Sequence, residues 1–282
     1  MMAAEPIPYR LRWRPAGERA GAHPGSGEGG EGAFRRHVPL LRHPDPRRVD
    51  VRETARNPMG EVMVRRYSRR AAITVAAAVD LSGSMGFAGR VDRMAVVSEL
   101  CATLAASAGR MGDRFCLIGC DSTVREDLFL PPTHRRGVEA EVYDRLMTAQ
   151  PRGAGTDGLA LVAGRLPAQR CLVVLISDFL LPMERIVAVM DGLWRHDVLP
   201  VVLHDRGEDE DLPAFGLVTL RDAETGRRRL TLMRPALRAE WSRRAAARRG
   251  ALDRLFLARG RAPFHLVDGL DRDALAGHLL AG

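Results

Sequence analysis

The stretch Ile73-Thr74-Val75-Ala76-Ala77-Ala78-Val79-Asp80-Leu81-Ser82-Gly83-Ser84 decides how this chain folds. Its first seven residues are apolar or β-branched, which is typical of a parallel strand covered on both faces. Asp80, Ser82 and Ser84 then follow on alternate residues, and Gly83 permits a tight loop between the serines. The stretch therefore predicts an oxygen-rich cluster where a buried strand becomes a loop.

Two later segments predict more oxygen atoms at the same edge of a sheet. Gly153-Ala154-Gly155-Thr156-Asp157-Gly158 is a glycine-rich loop that opens a helix, with the Thr156 hydroxyl at its mouth. Cys171-Leu172-Val173-Val174-Leu175-Ile176-Ser177-Asp178 is a second apolar run that ends in an aspartate. Ligands of open α/β sheets bind beyond the carboxyl ends of such strands, where Asp80 and Asp178 both stand.

Carboxylate and hydroxyl oxygens are the donors that hard cations select. Asp80 and Asp178 would supply charge, either directly or through bound water, and the hydroxyls of Ser82, Ser84 and Thr156 would supply neutral oxygens. We expect Mg²⁺ at these five residues, with Mn²⁺ or Ca²⁺ as alternatives. A second interpretation stays open, in which the aspartates and serines only cap backbone N–H groups of the turns.

The pattern Asp80-x-Ser82-x-Ser84, followed by Thr156 and Asp178, resembles the metal-ion-dependent adhesion site of von Willebrand factor A domains. The resemblance covers roughly residues 71 to 282. It implies an α/β fold of the Rossmann-like, doubly wound type, with a mostly parallel central sheet and helices on both faces. It also implies that a Glu or Asp of a partner protein completes the metal's coordination, so that the site joins two proteins and is not catalytic.

The N-terminal part carries a further resemblance. Pro39-Leu40-Leu41, the segment Pro44 to Asp50 and Arg65-Arg66-Tyr67 resemble the DUF58 family, and within it the MxaS-like proteins of methanol dehydrogenase gene clusters. This resemblance implies a MoxR-type AAA+ ATPase as partner. It also implies a client protein, such as methanol dehydrogenase, that offers an acidic side chain to the metal and is matured or loaded with metal.

The composition divides the chain into three parts. Residues 1–35 predict a basic arm rich in glycine and proline, residues 36–70 an extended lead-in segment, and residues 71–282 the von Willebrand factor A-like domain. Strand and helix patterns alternate along the last part, as in a doubly wound fold. The predicted elements are strands at 73–80, 115–120, 171–178, 198–204 and 264–267, an antiparallel edge strand at 124–130, a hairpin of 217–220 and 229–233, and helices at 91–111, 138–147, 159–166, 183–195, 236–259 and 272–280.

The formal net charge of +8 suggests an alternative function, a nucleic-acid-associated protein that uses the arginine-rich arm and the C-terminal helix. Residues 1–70 hold 15 arginines and 8 acidic residues, whereas residues 71–282 hold 28 and 27. The chain has no lysine, which indicates the coding bias of a GC-rich genome more than selection for phosphate binding. We therefore favour a protein partner and expect no nucleic acid.

Other classes of function lack their sequence signals. Gly83-Ser84-Met85-Gly86 is not a nucleophile elbow, no histidine has the context of a triad base, and the loop at 153–155 lacks the lysine of a P-loop, so we expect no enzyme. The four cysteines form no Cys-x-x-Cys pair and predict buried free thiols. The longest apolar runs are strand-sized, so we expect a cytoplasmic protein without a membrane partner.

Overall fold

The structure is a computed structural model that describes residues 5–16, 21–28, 32–87, 89–151, 155, 157–209, 211–221 and 226–281. The chain forms two compact units. The N-terminal unit consists of Leu11–Ile73 and Met111–Asp113, and the main unit consists of Met1–Arg10, Thr74–Arg110 and Arg114–Gly282.

The N-terminal unit contains a three-stranded antiparallel sheet. Its strands are β1 (His23–Glu28), β2 (Phe34–Pro39) and β3 (Met63–Ala71), with β3 in the centre. Helix α1 (Val51–Arg56) begins after Asp50, whose carboxylate accepts two backbone N–H groups of the first turn. These strands lie in the stretch that the sequence assigns to the arm and the lead-in segment.

The main unit is built on a six-stranded sheet, which confirms the predicted α/β fold with a mostly parallel sheet. The spatial order is β11-β8-β7-β4-β5-β6, and all neighbours are parallel except β5 and β6. The antiparallel edge strand is therefore confirmed as well. The strands are β4 (Thr74–Asp80), β5 (Arg114–Cys120), β6 (Val124–Thr133), β7 (Leu172–Ser177), β8 (Asp197–His204) and β11 (Phe264–Val267).

Helices and one hairpin connect these strands. The hairpin strands β9 (Gly216–Arg221) and β10 (Arg228–Met233) form a separate sheet. The helix predicted at 159–166 is divided: α4 ends at Leu161, and a 3-10 segment continues from Val162 to Arg165. The helices are α2 (Arg93–Met111), α3 (Val138–Thr148), α4 (Gly158–Leu161), α5 (Met183–Gly192), α6 (Arg206–Asp209), α7 (Pro235–Ala258) and α8 (Arg272–Ala281).

The core of the main unit lies on both faces of the sheet. Every residue of β4 and β7 is buried, which requires cover on both sides. On one face, residues of α5 and α7 join the alternate strand residues Ala76 and Ala78 in one apolar cluster. Helix α2 has no residue in that cluster and is buried along most of its length. The strand ends are therefore held by packing from two layers of helices.

The four cysteines are free and buried, as the sequence predicts. Burial raises the pKa of Cys116 to about 12 and that of Cys171 to about 11. These thiols stay protonated near neutral pH and act as small apolar side chains. In the part of the chain that the structure describes, no helix is both long and apolar enough to cross a bilayer.

Candidate functional site

The candidate site lies at the switch point of the main sheet. From β4 the chain continues to β5 on one side, whereas β7, β8 and β11 extend the sheet on the other side. The crevice beyond the carboxyl ends of β4 and β7 is the place where open α/β sheets bind ligands. Asp80 is the last residue of β4, and Ser177 is the last residue of β7.

The Asp80 carboxylate is fully buried and joins the two strands. Its Oδ1 accepts the Ser82 backbone N–H at 2.9 Å, and its Oδ2 accepts the Ser177 hydroxyl at 2.6 Å. Burial raises the pKa of Asp80 to about 6, and the charge of Asp178 acts in the same direction, against the hydrogen bonds. Near neutral pH the site therefore holds a costly buried charge that a cation would stabilise.

The serine hydroxyls lie together beside Asp80. Ser82 and Ser84 are both buried, and their Oγ atoms are 3.3 Å apart. The 3-10 turn Gly83–Gly86 follows Ser82, whose side chain makes no capping bond to that turn. The capping interpretation therefore holds for the Asp80 carboxylate but not for the Ser82 hydroxyl.

Asp178 is held by a strained backbone turn after β7. Its Oδ1 accepts the Leu180 backbone N–H at 3.0 Å. Phe179 has φ 51°, in the left-handed region that a bulky side chain rarely adopts. Its ring packs edge-on against that of Phe256, with 5.1 Å between the ring centroids, and its backbone carbonyl accepts a hydrogen bond from Arg248. These contacts hold the strained turn and therefore fix the position of the Asp178 carboxylate.

Arg93 occupies the centre of the cluster, although it belongs to none of the sequence motifs described above. Its guanidinium is buried and donates from Nη1 to the Ser84 carbonyl at 2.9 Å and to Asp178 Oδ2 at 3.2 Å. Its Nη2 lies 2.5 Å from a carboxylate oxygen of Glu208. Burial raises the pKa of Glu208, and the charge of Arg93 and its hydrogen bond offset only part of that rise. In the sequence, the one sign of its role is that an arginine stands at the start of a helix face that is otherwise apolar.

The structure brings four of the five predicted ligands to one place. Asp80, Ser82, Ser84 and Asp178 are linked by the contacts above, whereas Thr156 lies outside the described residues. Ser177 was also missed, although it directly precedes Asp178 in the sequence. No group of three or more His, Cys, Asp or Glu side chains among the described residues has an arrangement that could hold a metal. A metal bound here would therefore depend on the serine hydroxyls.

A cleft opens next to Asp178, beyond the carboxyl ends of β7 and β8. It encloses about 200 Å³, and its walls include Asp178, Glu208, His204, Trp241 and Arg248. Arg248 donates to the backbone carbonyls of Phe179 and Leu181, and burial lowers its pKa while the nearby charge of Asp178 acts against that shift. The cleft thus borders the Asp178 side of the cluster.

The fold and this cluster define an α/β protein with an oxygen-lined site at its switch point. Residues 44–251 match the family described as "Protein of unknown function DUF58", and the chain belongs to this family. The match covers the N-terminal unit from Pro44 onward and most of the main unit.

The chain is also similar to several individual proteins. The chain is 40% identical over 105 residues to the "Uncharacterized protein in moxR 3'region" of Paracoccus denitrificans, over 37% of this chain and 100% of that protein. It is 39% identical to an uncharacterized protein of Mycobacterium tuberculosis, over 46% of this chain and 41% of that protein. Among solved structures, the conserved hypothetical protein BatB from Bacteroides thetaiotaomicron aligns with TM-score 0.45 and 13% identity, over 74% of this chain and 97% of that one.

Proposed function

We propose that this protein is a non-enzymatic interaction module that works with a MoxR-type AAA+ ATPase. Its contact with a partner uses a divalent cation, Mg²⁺ in the first place, held at Asp80, Ser82, Ser84, Thr156 and Asp178. The observation that carries the proposal is the convergence of two buried hydroxyls and two carboxylates at the switch point of the sheet. The similarity to a protein of a moxR 3′ region supports the choice of the ATPase.

The donor set fits Mg²⁺. Adjacent ligands of an octahedron with bonds near 2.1 Å lie about 3.0 Å apart, close to the 3.3 Å between the Ser82 and Ser84 oxygens. Asp80 contributes a carboxylate that burial leaves poorly solvated. When bound, the ion would supply a positive charge that accepts an oxygen ligand from outside the chain.

Arg93 gives the site its own internal cation. Its guanidinium forms an ion pair with both Asp178 and Glu208, so each carboxylate has a cationic partner without metal. A divalent ion would share Asp178 with Arg93, and like charges repel at this distance. We therefore expect the metal and Arg93 to compete for Asp178, with the binding of a partner carboxylate favouring the metal. In this proposal the client protein, with methanol dehydrogenase as the example, provides that carboxylate during its maturation or metal loading.

Mg²⁺ is expected to bind the wild-type chain at one site and to bind the double variant Asp80→Ala with Ser82→Ala at least about tenfold more weakly. The variant removes one carboxylate and one of the paired hydroxyls from the cluster. Isothermal calorimetry measures the affinity. A thermal melt should also show about 2.7 kcal/mol of added stability at a metal concentration of 100 times Kd.

The matched control is Asp121→Ala with Ser122→Ala. Asp121 follows β5 and accepts the Thr123 backbone N–H at 3.1 Å, the same turn geometry as Asp80, but Ser122 is exposed. This control should bind Mg²⁺ like the wild type. Equal affinity in the wild type and the Asp80 and Ser82 variant would refute the metal site.

Capture of a MoxR-type ATPase by this chain is expected to require divalent metal. The complex should be lost in EDTA and in Asp178→Ala, because the metal then lacks the carboxylate that follows β7. Asp191→Ala, which removes an exposed carboxylate on α5, should leave the complex intact. A pull-down with purified proteins measures the effect. A complex that survives EDTA would place the ATPase contact on another surface.

A further inference from the structure

The hairpin of β9 and β10 is a sheet of two strands only. No third strand pairs with it in the part of the chain that the structure describes. A two-stranded hairpin with an exposed apolar face is marginally stable in water and gains from cover by another element. The hairpin therefore stands apart from the six-stranded sheet of the same unit.

One face of this hairpin carries leucines that point to solvent. In the register, Leu217 faces Leu232 and Thr219 faces Leu230, so these four residues share a face. The leucine side chains are 65%, 40% and 62% exposed for Leu217, Leu232 and Leu230. Met233, on the other face, is fully buried. The hairpin thus buries Met233 on one face, and no described residue covers the leucines on the other face.

Helix α7 follows the hairpin in sequence and carries exposed apolar residues of its own. Leu237 and Trp241 are 37% and 38% exposed, and Trp241 lines the cleft beside Asp178. Scattered apolar residues of this kind are normal on a surface, whereas the three leucines that share one face of the hairpin form a cluster, which marks an interaction site.

The same stretch of sequence is strongly basic. Residues 226–249 hold nine arginines and one glutamate, a formal charge of +8, which equals the net charge of the whole chain. Arg228 lies two residues before Leu230 on β10 and therefore on the leucine face. Arg227, Arg228 and Arg229 directly precede Leu230, and Arg234 follows β10, so exposed positive charge stands at both ends of this strand and favours a partner with negative charge.

We propose that the leucine face of the hairpin forms a docking site for an acidic, amphipathic segment of a partner protein. Apolar side chains of that segment cover Leu217, Leu230 and Leu232, and its carboxylates meet the arginines around them. A surface that follows nucleic-acid phosphates needs the arginines but has no use for three exposed leucines. The site contains none of the five proposed metal ligands, and its binding is independent of divalent metal.

The test uses the full chain and a fluorescent synthetic peptide about 18 residues long, built of Leu and Glu at helical spacing. Two comparison peptides have the same residues in scrambled order, or Lys in place of Glu. Fluorescence anisotropy at about 150 mM salt measures binding. The Leu/Glu peptide should bind at least about tenfold more tightly than either comparison peptide, with equal affinity in EDTA and in Mg²⁺.

Two variants separate the apolar contribution from the charge. Leu230→Ser with Leu232→Ser, and independently Arg228→Glu, should each weaken peptide binding about tenfold or more. Leu161→Ser, a 52% exposed leucine on α4, is the matched control and should bind like the wild type. The charge variant keeps the leucines, so it tests the proposal even if the serine variant fails to fold.

Three results would overturn the proposal. Equal binding of the ordered and scrambled peptides would mean that charge alone acts. Binding of duplex DNA that is tighter than that of the peptide and unchanged by the leucine substitutions would assign the surface to nucleic acid. Loss of peptide binding in EDTA would assign the peptide to the metal site.

Discussion

Arg93→Ala is expected to lower the free energy of unfolding by about 3–5 kcal/mol, because it removes one partner of a buried ion pair. The Asp178 and Arg93 side chains are each only 3% exposed. Without the guanidinium, the buried Asp178 carboxylate and the Glu208 carboxylate both lose their cationic partner. Urea unfolding in EDTA, followed by circular dichroism, measures the change.

Arg90→Ala is the control for this prediction. Arg90 also forms ion pairs, with Asp211 and Asp268, but its side chain is 44% exposed. Water replaces such contacts at little cost, so the expected change is below about 1 kcal/mol. Similar losses in the two variants would contradict the role of Arg93 as a buried counter-charge.

The Arg93 variant also tests the proposed competition with metal. Because Asp178 and Glu208 then lack their cation, Mg²⁺ should bind Arg93→Ala more tightly than it binds the wild type. The same calorimetric titration measures this affinity. A weaker affinity would mean that Arg93 helps to arrange the metal ligands and does not compete with the ion.

Asp80→Asn is expected to raise the free energy of unfolding near neutral pH, in EDTA, by up to about 3 kcal/mol. Burial raises the pKa of Asp80 from its ordinary 3.8 to about 6 in the folded chain. The folded chain therefore binds the proton more tightly than the unfolded chain, and wild-type stability falls as pH rises from about 4 to 6. Each pKa unit corresponds to 1.36 kcal/mol, which sets the expected size. Asn has the shape of Asp without the charge, so the variant escapes this loss.

The measurement is urea unfolding of both proteins from about pH 3 to about pH 7. The two stabilities should converge toward about pH 3, where Asp80 is mostly protonated in both the folded and the unfolded chain. Asp127→Asn is the control, since the hydrogen bond from Arg125 lowers the pKa of that exposed carboxylate, and its change should stay below about 1 kcal/mol. A stability difference that does not vary with pH would contradict the prediction. The Asn variant should also lose its response to Mg²⁺.

Much of the fold and part of the site follow from local patterns. The run at 73–79 and the run at 171–176 predict β4 and β7, because unbroken apolar strands are buried on both faces. The alternation of Asp80, Ser82 and Ser84 predicts that their oxygens lie together, as Ser82 and Ser84 do. The divided helix after residue 158 was not predicted, since Gly164 weakens a pattern that apolar spacing alone makes helical.

The sequence by itself determined the strands, their buried character and the presence of an aspartate at the end of β4 and after β7, since these depend on neighbours in the chain. Only the tertiary structure decided that Ser177 donates to Asp80, 97 residues away, and that Arg93 lies between Asp178 and Glu208. It also decided which face of the hairpin is buried, with Met233 inside and Leu230 outside. Such pairings depend on which strands and helices become neighbours, and that is set by packing of the whole main unit.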